Sequence, residues 1–482
     1  MQRKVMKVSW YAMVVLSALV APSFTQTLSA DEAKPKVHHK VIVESGEVTP
    51  ENGTFLPFSF FNASLNSRDE VAFDAVVTGP PPTTAIFLRE RKRISAIALG
   101  TNPDKSEPSF GTVTNSFLTE GGDVVFHGNV GEVFRSNGKK AIPLVQPGEP
   151  VQGGGTVTAL LSQPAVNERG AIAYDASVSG AGSTQGATQA VLRGDGMRTI
   201  SIASDAIAPP TGGTFVSFQD LSLNVHGEVA FKADTAGGSA DHGIFRGDGG
   251  RVTPVLVTNQ IVPGGEIIDD CGPPEINAHG QVASLCRLIN GNAINGGIFT
   301  GHGGDIVTIA LGGQPSPTGA TYGILLSFEL NDRDEAAFLA RLSDGKSGLF
   351  RGNGKHTTTI ALSGTTAPGT TGTFQSFGDA FKLGDDGRVL FTADLVPGID
   401  GVDSTNNVGI WVGTAEGDLT LVARTGDVIN GKAVTSLPFT DNVGRPLDLN
   451  GNRVMWRGTF GAMKALVLSR IAGDNDRGNE EN

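Results

Sequence analysis

The sequence predicts an all-β fold: an eight-bladed β-propeller of four-stranded antiparallel blades, its ring closed by strand pairs from the N- and C-terminal ends. Three observations predict it. The 66 glycines and 25 prolines among 482 residues punctuate the chain at regular turns, and no long stretch carries apolar residues at helical spacing. The phrase "LNVHGEVAFKA" at 223 returns as "LNSRDEVAFDA" at 65, "VNERGAIAYDA" at 166, "INAHGQVASLC" at 276 and "LNDRDEAAFLA" at 330. Eight copies begin at Leu65, Leu118, Val166, Leu223, Ile276, Leu330, Leu383 and Leu449, a spacing of about 55 residues that suits four short strands with their turns. Lastly, the two ends hold incomplete units that complement each other.

In chain order, Arg3, Lys4 and Lys7 precede an uncharged apolar run from Val8 to Ala21, with small residues Ser29 and Ala30 beyond it. Residues 1–30 therefore read as a signal peptide, the run being shorter than the ~20 residues a spanning helix needs. Residues 31–40 read as a linker and 41–470 as the propeller. Each unit has four apolar segments. The first is the recurring phrase, where Asn224 caps a turn, Gly227 takes positive φ and "EVAFKA" alternates as a strand. The second and third, such as "GIFRGDGG" at 243 and its return strand, form a hairpin marked by Asp-Gly or Asn-Gly. The fourth, such as "GTFVSFQ" at 213, follows a Gly/Pro loop.

The propeller begins with an orphan third segment, "VIVESGE" at 41, and an orphan fourth, "GTFLPFSF" at 53. It ends with an orphan first, "LNGNRVMWRG" at 449, and an orphan second, "KALVLSR" at 464. An open array gains nothing from such a split, whereas a ring uses it to join its ends and protect its edges. A closing blade of two plus two strands is expected, followed by a disordered polar tail at 471–482.

The motif N-x-x-G-x-x-A-F, carried by Asn224, Gly227, Ala230 and Phe231, resembles the tandem repeat of a bacterial family of exported proteins, the NxxGxxAF or choice-of-anchor repeat proteins. The resemblance spans roughly 41–470, with Asp69 and Asp334 in place of the Gly and Gly384 in place of the Asn. It implies export and supplies no activity.

The net charge of −12 becomes about −15 without residues 1–30, which argues against a nucleic-acid partner. Cys271 and Cys286, the only cysteines, lie within one unit. In an exported chain they predict a disulfide, the alternative being two buried free thiols.

No nucleophile elbow, zinc-protease motif, C-x-x-C or complete P-loop occurs, so no catalytic residue is assigned. His226 and His279 hold one place in adjacent units, and equivalent places on neighbouring blades are too far apart to share an ion. Arg135, Arg193, Arg246 and Arg351 precede the hairpin in four units. A ring of guanidinium groups suits an acidic glycan, but pairing with acids such as Glu228 and Glu335 is the expectation. Asp400, Asp403 and Asn406, in the insertion "DGVDSTNN", are the candidate calcium ligands; an exposed polar loop is the alternative. No other cofactor is expected. The functional expectation is a secreted or periplasmic, monomeric binding or scaffold protein with a glycan, cell-surface or protein ligand on a propeller face and no transmembrane segment. The competing reading is a propeller polysaccharide lyase or hydrolase whose site is assembled from several blades.

Overall fold

The structure is a computed structural model and describes residues 36–472, apart from 58–59, 61, 80–82, 101–109, 129–130, 153, 180–187, 290–295, 415–416 and 440–445. The expected signal peptide, and the tail from 473 onward, lie outside the described residues. All described regular structure is β-strand, arranged as an eight-bladed propeller. Blades 1 to 7 span residues 63–99, 114–145, 156–204, 214–257, 267–311, 322–362 and 374–424, and blade 8 joins Val37–Glu44 to residues 447–471.

Blade 4 shows how the phrase builds a sheet. Its strands are Thr214–Leu223, Val229–Ala236, His242–Gly247 and Val252–Val257, in chain order from the channel outward. Phe231 sits directly opposite Phe245 on the neighbouring strand and stacks on it at 5.9 Å. Phe215, from the "GTF" segment, packs edge-on against Phe245 at 5.2 Å. The same trio recurs as Phe73, Phe87 and Phe55 in blade 1 and as Phe391, Trp411 and Phe374 in blade 7. Offset and edge-on contacts of this kind add to simple burial.

Strand alternation sends these rings to one side and small residues to the other. Val229 and Phe231 pack with Ala173, Val191 and Ile202 of blade 3, while Ala230, Ile244 and Leu256 pack with Val282 and Phe299 of blade 5. The core is therefore not inside any blade but between blades. Eight such clusters occur, one for each neighbouring pair, and the cluster joining Met455, Leu466 and Leu468 to Val71, Phe73 and Phe87 closes blade 8 onto blade 1.

The closing blade draws on both ends of the chain, as expected, but in a ratio of three to one. Its inner strands Leu447–Asn450, Arg453–Phe460 and Met463–Ile471 are C-terminal; only the outermost, Val37–Glu44, is N-terminal. That strand begins inside the stretch expected to be a linker. The fourth segment belongs to the innermost strand of the following blade: Phe215 and Leu223 lie on one strand, and Phe55 bridges Val77 of blade 1. The physical reason is the Gly/Pro connector, which carries the chain from the rim of one blade back to the channel. Its turn is fixed by Gly-to-aromatic hydrogen bonds such as Gly46 N to Phe55 O, 2.7 Å, and Gly364 N to Phe374 O, 2.8 Å.

Candidate functional site

The turns of the recurring phrase converge on one mouth of the central channel. Asn224 Oδ1 accepts from the backbone N–H of His226 and Glu228 at 3.1 and 2.9 Å, which shapes its own turn. Its amide nitrogen then donates to the carbonyl of Asn277 in the next blade at 2.9 Å. Asn167 donates likewise to Asn224, Asn277 to Asn331 and Asn331 to Gly384, at 2.8 to 3.2 Å. These side chains are buried, so each Asn satisfies its own turn and ties it to its neighbour.

The arginines complete the same joint. Arg246 Nη1 donates to the carbonyl of Gly280 in the following blade at 2.8 Å and lies 3.7 Å from Glu228. Arg193 reaches Gly227 and Arg351 reaches Gly387 in the same way, with Glu335 3.6 Å from Arg351. Arg135 pairs with Asp123 at 3.7 Å. Arg193, Arg246 and Arg351 are staples between blades, Arg135 pairs within its own blade, and the expected Glu228 and Glu335 are among the partners. The φ of Gly227 is 85°, which favours glycine, and a Cβ there would stand 2.3 Å from the Arg193 guanidinium and displace it. Asp69 and Asp334 replace glycine at φ 61° and 59°, and each follows a blade with no such arginine: Leu468 and Thr300 hold the place.

Among the positions of the phrase that vary from blade to blade, one faces the mouth. The residue after the Asn is Ser67, Glu120, Glu168, Val225, Ala278, Asp332 or Asp385 in blades 1 to 7. Asp332 accepts from Ala278 N at 2.7 Å, Asp385 from Asp332 N at 3.0 Å, and Ser67 donates to Glu120. Burial holds the Glu168 carboxyl above the usual carboxylate range, and the Glu120, Asp385 and Asp332 carboxylates push it further. Four acids thus share the mouth. Below them a cavity of about 140 Å³ is lined by Phe117, Val166, Leu223 and Ile276 with Glu168 and Asp332, residues from five blades.

Deeper in the wall, the residue before each Leu of the phrase meets the next blade. Ser64 accepts from Leu118 N at 2.8 Å, Ser222 from Ile276 N at 3.2 Å, and Asp448 from Leu65 N at 2.8 Å. In blades 5 to 7 this position is Glu275, Glu329 and Lys382. Glu275 accepts from Leu330 N at 2.6 Å, and burial, followed by the Glu329 charge, pushes its carboxyl up to about 8. Lys382 pairs with Glu329 at 2.5 Å beside a second cavity of about 180 Å³ that Asp379, Phe381 and Leu447 also line.

The other expected residues lie elsewhere. Asp400, Asp403 and Asn406 share a loop in which two side-chain oxygens already accept hydrogen bonds: Asp403 Oδ1 accepts from Thr405 N and Oγ1 at 2.7 and 2.6 Å, and Asn406 Oδ1 from Asp403 N and Arg424 at 2.9 and 3.0 Å. Asp400 contributes its carbonyl to Thr371. Among the described residues no group of His, Cys, Asp and Glu is arranged to hold a metal ion. His226 is exposed, and His279 stands 3.8 Å from Asp334. Cys271 and Cys286 face each other across two strands of blade 5, both buried, with their sulfurs bonded. The mouth acids went unread in the sequence, because several places in the phrase vary and only the ring brings Glu120, Glu168, Asp332 and Asp385 together.

A family model matches residues 131–455, about two thirds of the chain. The chain belongs to DUF7453, a family of unknown function. No curated protein matches. Among solved structures, a Mycobacterium tuberculosis puromycin-hydrolyzing peptidase is 13% identical with a TM-score of 0.39, over 83% of this chain and 50% of its own. The C-terminal WD40 domain of Sif2 is 13% identical at 0.42, over 90% and 99%, and the WD40 domain of SCAP from fission yeast 9% identical at 0.38, over 92% and 96%. The DUF7453 chain thus spans about half the length of that peptidase. No helix among its described residues is long and apolar enough to cross a membrane.

Proposed function

We propose that this DUF7453 protein is an exported, non-enzymatic binding protein that takes a glycan or protein ligand at the channel mouth. One observation carries the reading. Asn, Gly, Arg and Phe repeat wherever they join blades, whereas the mouth position differs from blade to blade and collects Glu120, Glu168, Asp332 and Asp385 over a partly apolar cavity. A concave site with a few converging polar groups is the general form of a ligand site, and this one favours a ligand that presents an amine. The resemblance to exported NxxGxxAF repeat proteins agrees with the compartment.

The test is a glycan array that includes chitosan and chitin oligosaccharides, with product analysis of every hit and the same screen on the Glu168→Gln/Asp332→Asn variant. Binding with intact products, lost in the variant with no fall in melting temperature, is the expected result. Hits that the variant binds equally well would remove the mouth from the account.

The pair Glu275 and Glu329 favours a second reading. A carboxyl raised by burial, with a second carboxylate paired to Lys382 on the adjacent blade, is an arrangement that acid–base chemistry uses. Cleavage of a bound polymer that Glu275→Gln abolishes would establish the hydrolase or lyase instead.

A further inference from the structure

Strands alternate in direction within a blade, so the hairpins between third and outermost strands share a face with the Asn turns. The residue leading into the outermost strand holds one register throughout. It is Arg93, Lys140, Arg198 and Arg251 in blades 1 to 4, then Asp305, His356 and Asp418 in blades 5 to 7. The strand pairs fix this equivalence: Ile94 lies opposite Arg89, Ala141 opposite Ser136, Thr199 opposite Gly194 and Val252 opposite Gly247. Arg91, Lys92 and Lys139 add to the same tips, and all seven cations are exposed. Each tip along half of the rim therefore carries at least one exposed cation, in company with Glu90 in blade 1, Asp195 in blade 3 and Asp248 in blade 4, on a chain whose net charge is −12.

These cations are not structural pairs. Arg198 lies 4.0 Å from Asp195, and the other six have no carboxylate partner among the described residues. The local field is positive: Lys40, on the adjoining closing strand, is held below its ordinary pKa first by burial and then by Arg89, with Lys92 and Arg470 adding to it against Asp69. The loops at the opposite ends of the blades hold Glu51, Glu149, Asp205 and Glu266, and their cations Arg287, Lys346 and Lys432 pair with Asp269, Asp344 and Glu44.

We propose that the arc formed by Arg93, Lys140, Arg198 and Arg251 binds an acidic polysaccharide, carboxylated or sulfated, that runs along the rim of blades 1 to 4. Guanidinium forks match carboxylate and sulfate oxygens. A single flexible chain follows the curved rim without covering the acidic mouth. A duplex, stiff over about 150 base pairs, cannot bend with the arc, and the tips carry no aromatic side chain on which single-stranded bases stack. A membrane lying flat on this face would press on the mouth acids, and Met197, 88% exposed, is the one large apolar side chain at these four tips.

The site is separate from the mouth and is tested separately. Binding of labelled polygalacturonate and heparin is measured against neutral dextran at low and high salt. Salt-sensitive binding to at least one acidic polymer is expected. The Arg93→Gln/Lys140→Gln/Arg198→Gln/Arg251→Gln protein is expected to bind about tenfold or more weakly at an unchanged melting temperature. Lys346→Gln on the opposite face is expected to bind as the parent does. If the fourfold variant misfolds, the pairs Arg93→Gln/Lys140→Gln and Arg198→Gln/Arg251→Gln each replace it with the same expectation. No binding to either polymer at low salt, or undiminished binding by these variants, overturns the proposal. Tighter binding of duplex DNA or of phosphatidylserine vesicles overturns the choice of polymer.

Discussion

Asn224 shows how one residue type can account for a repeat. Its side-chain oxygen organises the turn and its nitrogen joins the next blade, so Asn224→Ala leaves buried partners of both kinds unsatisfied. A loss of about 2–3 kcal/mol in denaturant-unfolding stability is expected. The capping role was legible from the turn chemistry of the phrase. The link between blades was not, because it joins residues 53 positions apart that only ring geometry brings together. Asp175 makes a second residue-scale prediction. Burial raises its carboxyl from 3.8 to about 6, partly offset by the Gln189 amide. The folded protein then holds a proton that the unfolded chain has lost, so this group's contribution to stability falls as pH rises from about 4 through 6. Asp175→Asn should flatten that slope and raise the melting temperature at neutral pH, which thermal melts across the range will read.

At the scale of the turn and the strand, Gly227 and Arg193 form one device. Gly227→Ala is expected to cost about 1–2 kcal/mol for the left-handed backbone alone, with the displacement of Arg193 added. Removing Arg193 as well should recover the second part, so a double-mutant cycle should show positive coupling; strict additivity would dissociate the two. The spacing of the arginines was visible in the sequence, and so was their preference for pairing. Their reach to the next glycine was hidden, because it joins residues of different blades. Segment order misled at the closing blade for a simple reason. The strand Thr214–Leu223 continues through a bulge at Asp220, φ 48°, so the fourth segment runs on into the phrase of the following blade. The rim cations were also missed, because seven residues that look scattered along the chain become one arc only when counted from the hairpin of each blade.

At the scale of the molecule, cores between blades mean that stability depends on closure. Deleting residues 36–44 removes the outermost strand of blade 8 and bares the edge of Met463–Ile471. The expected outcome is a large fall in melting temperature with association through the open edge, read by scanning calorimetry and light scattering. Reducing the bond between Cys271 and Cys286, 15 residues apart, should cost about 3 kcal/mol by loop entropy, with a smaller melting shift than opening the ring.

The account divides the phrase into residues that hold the ring and one position that meets a ligand. Titration calorimetry with the best-binding oligosaccharide of the array separates them most directly, run on Arg246→Gln and on Glu168→Gln/Asp332→Asn. The division predicts that Arg246→Gln keeps the parent affinity at a lowered melting temperature, while the mouth variant loses affinity and melts no lower than the parent. The reverse pattern, or one affinity for both, overturns it.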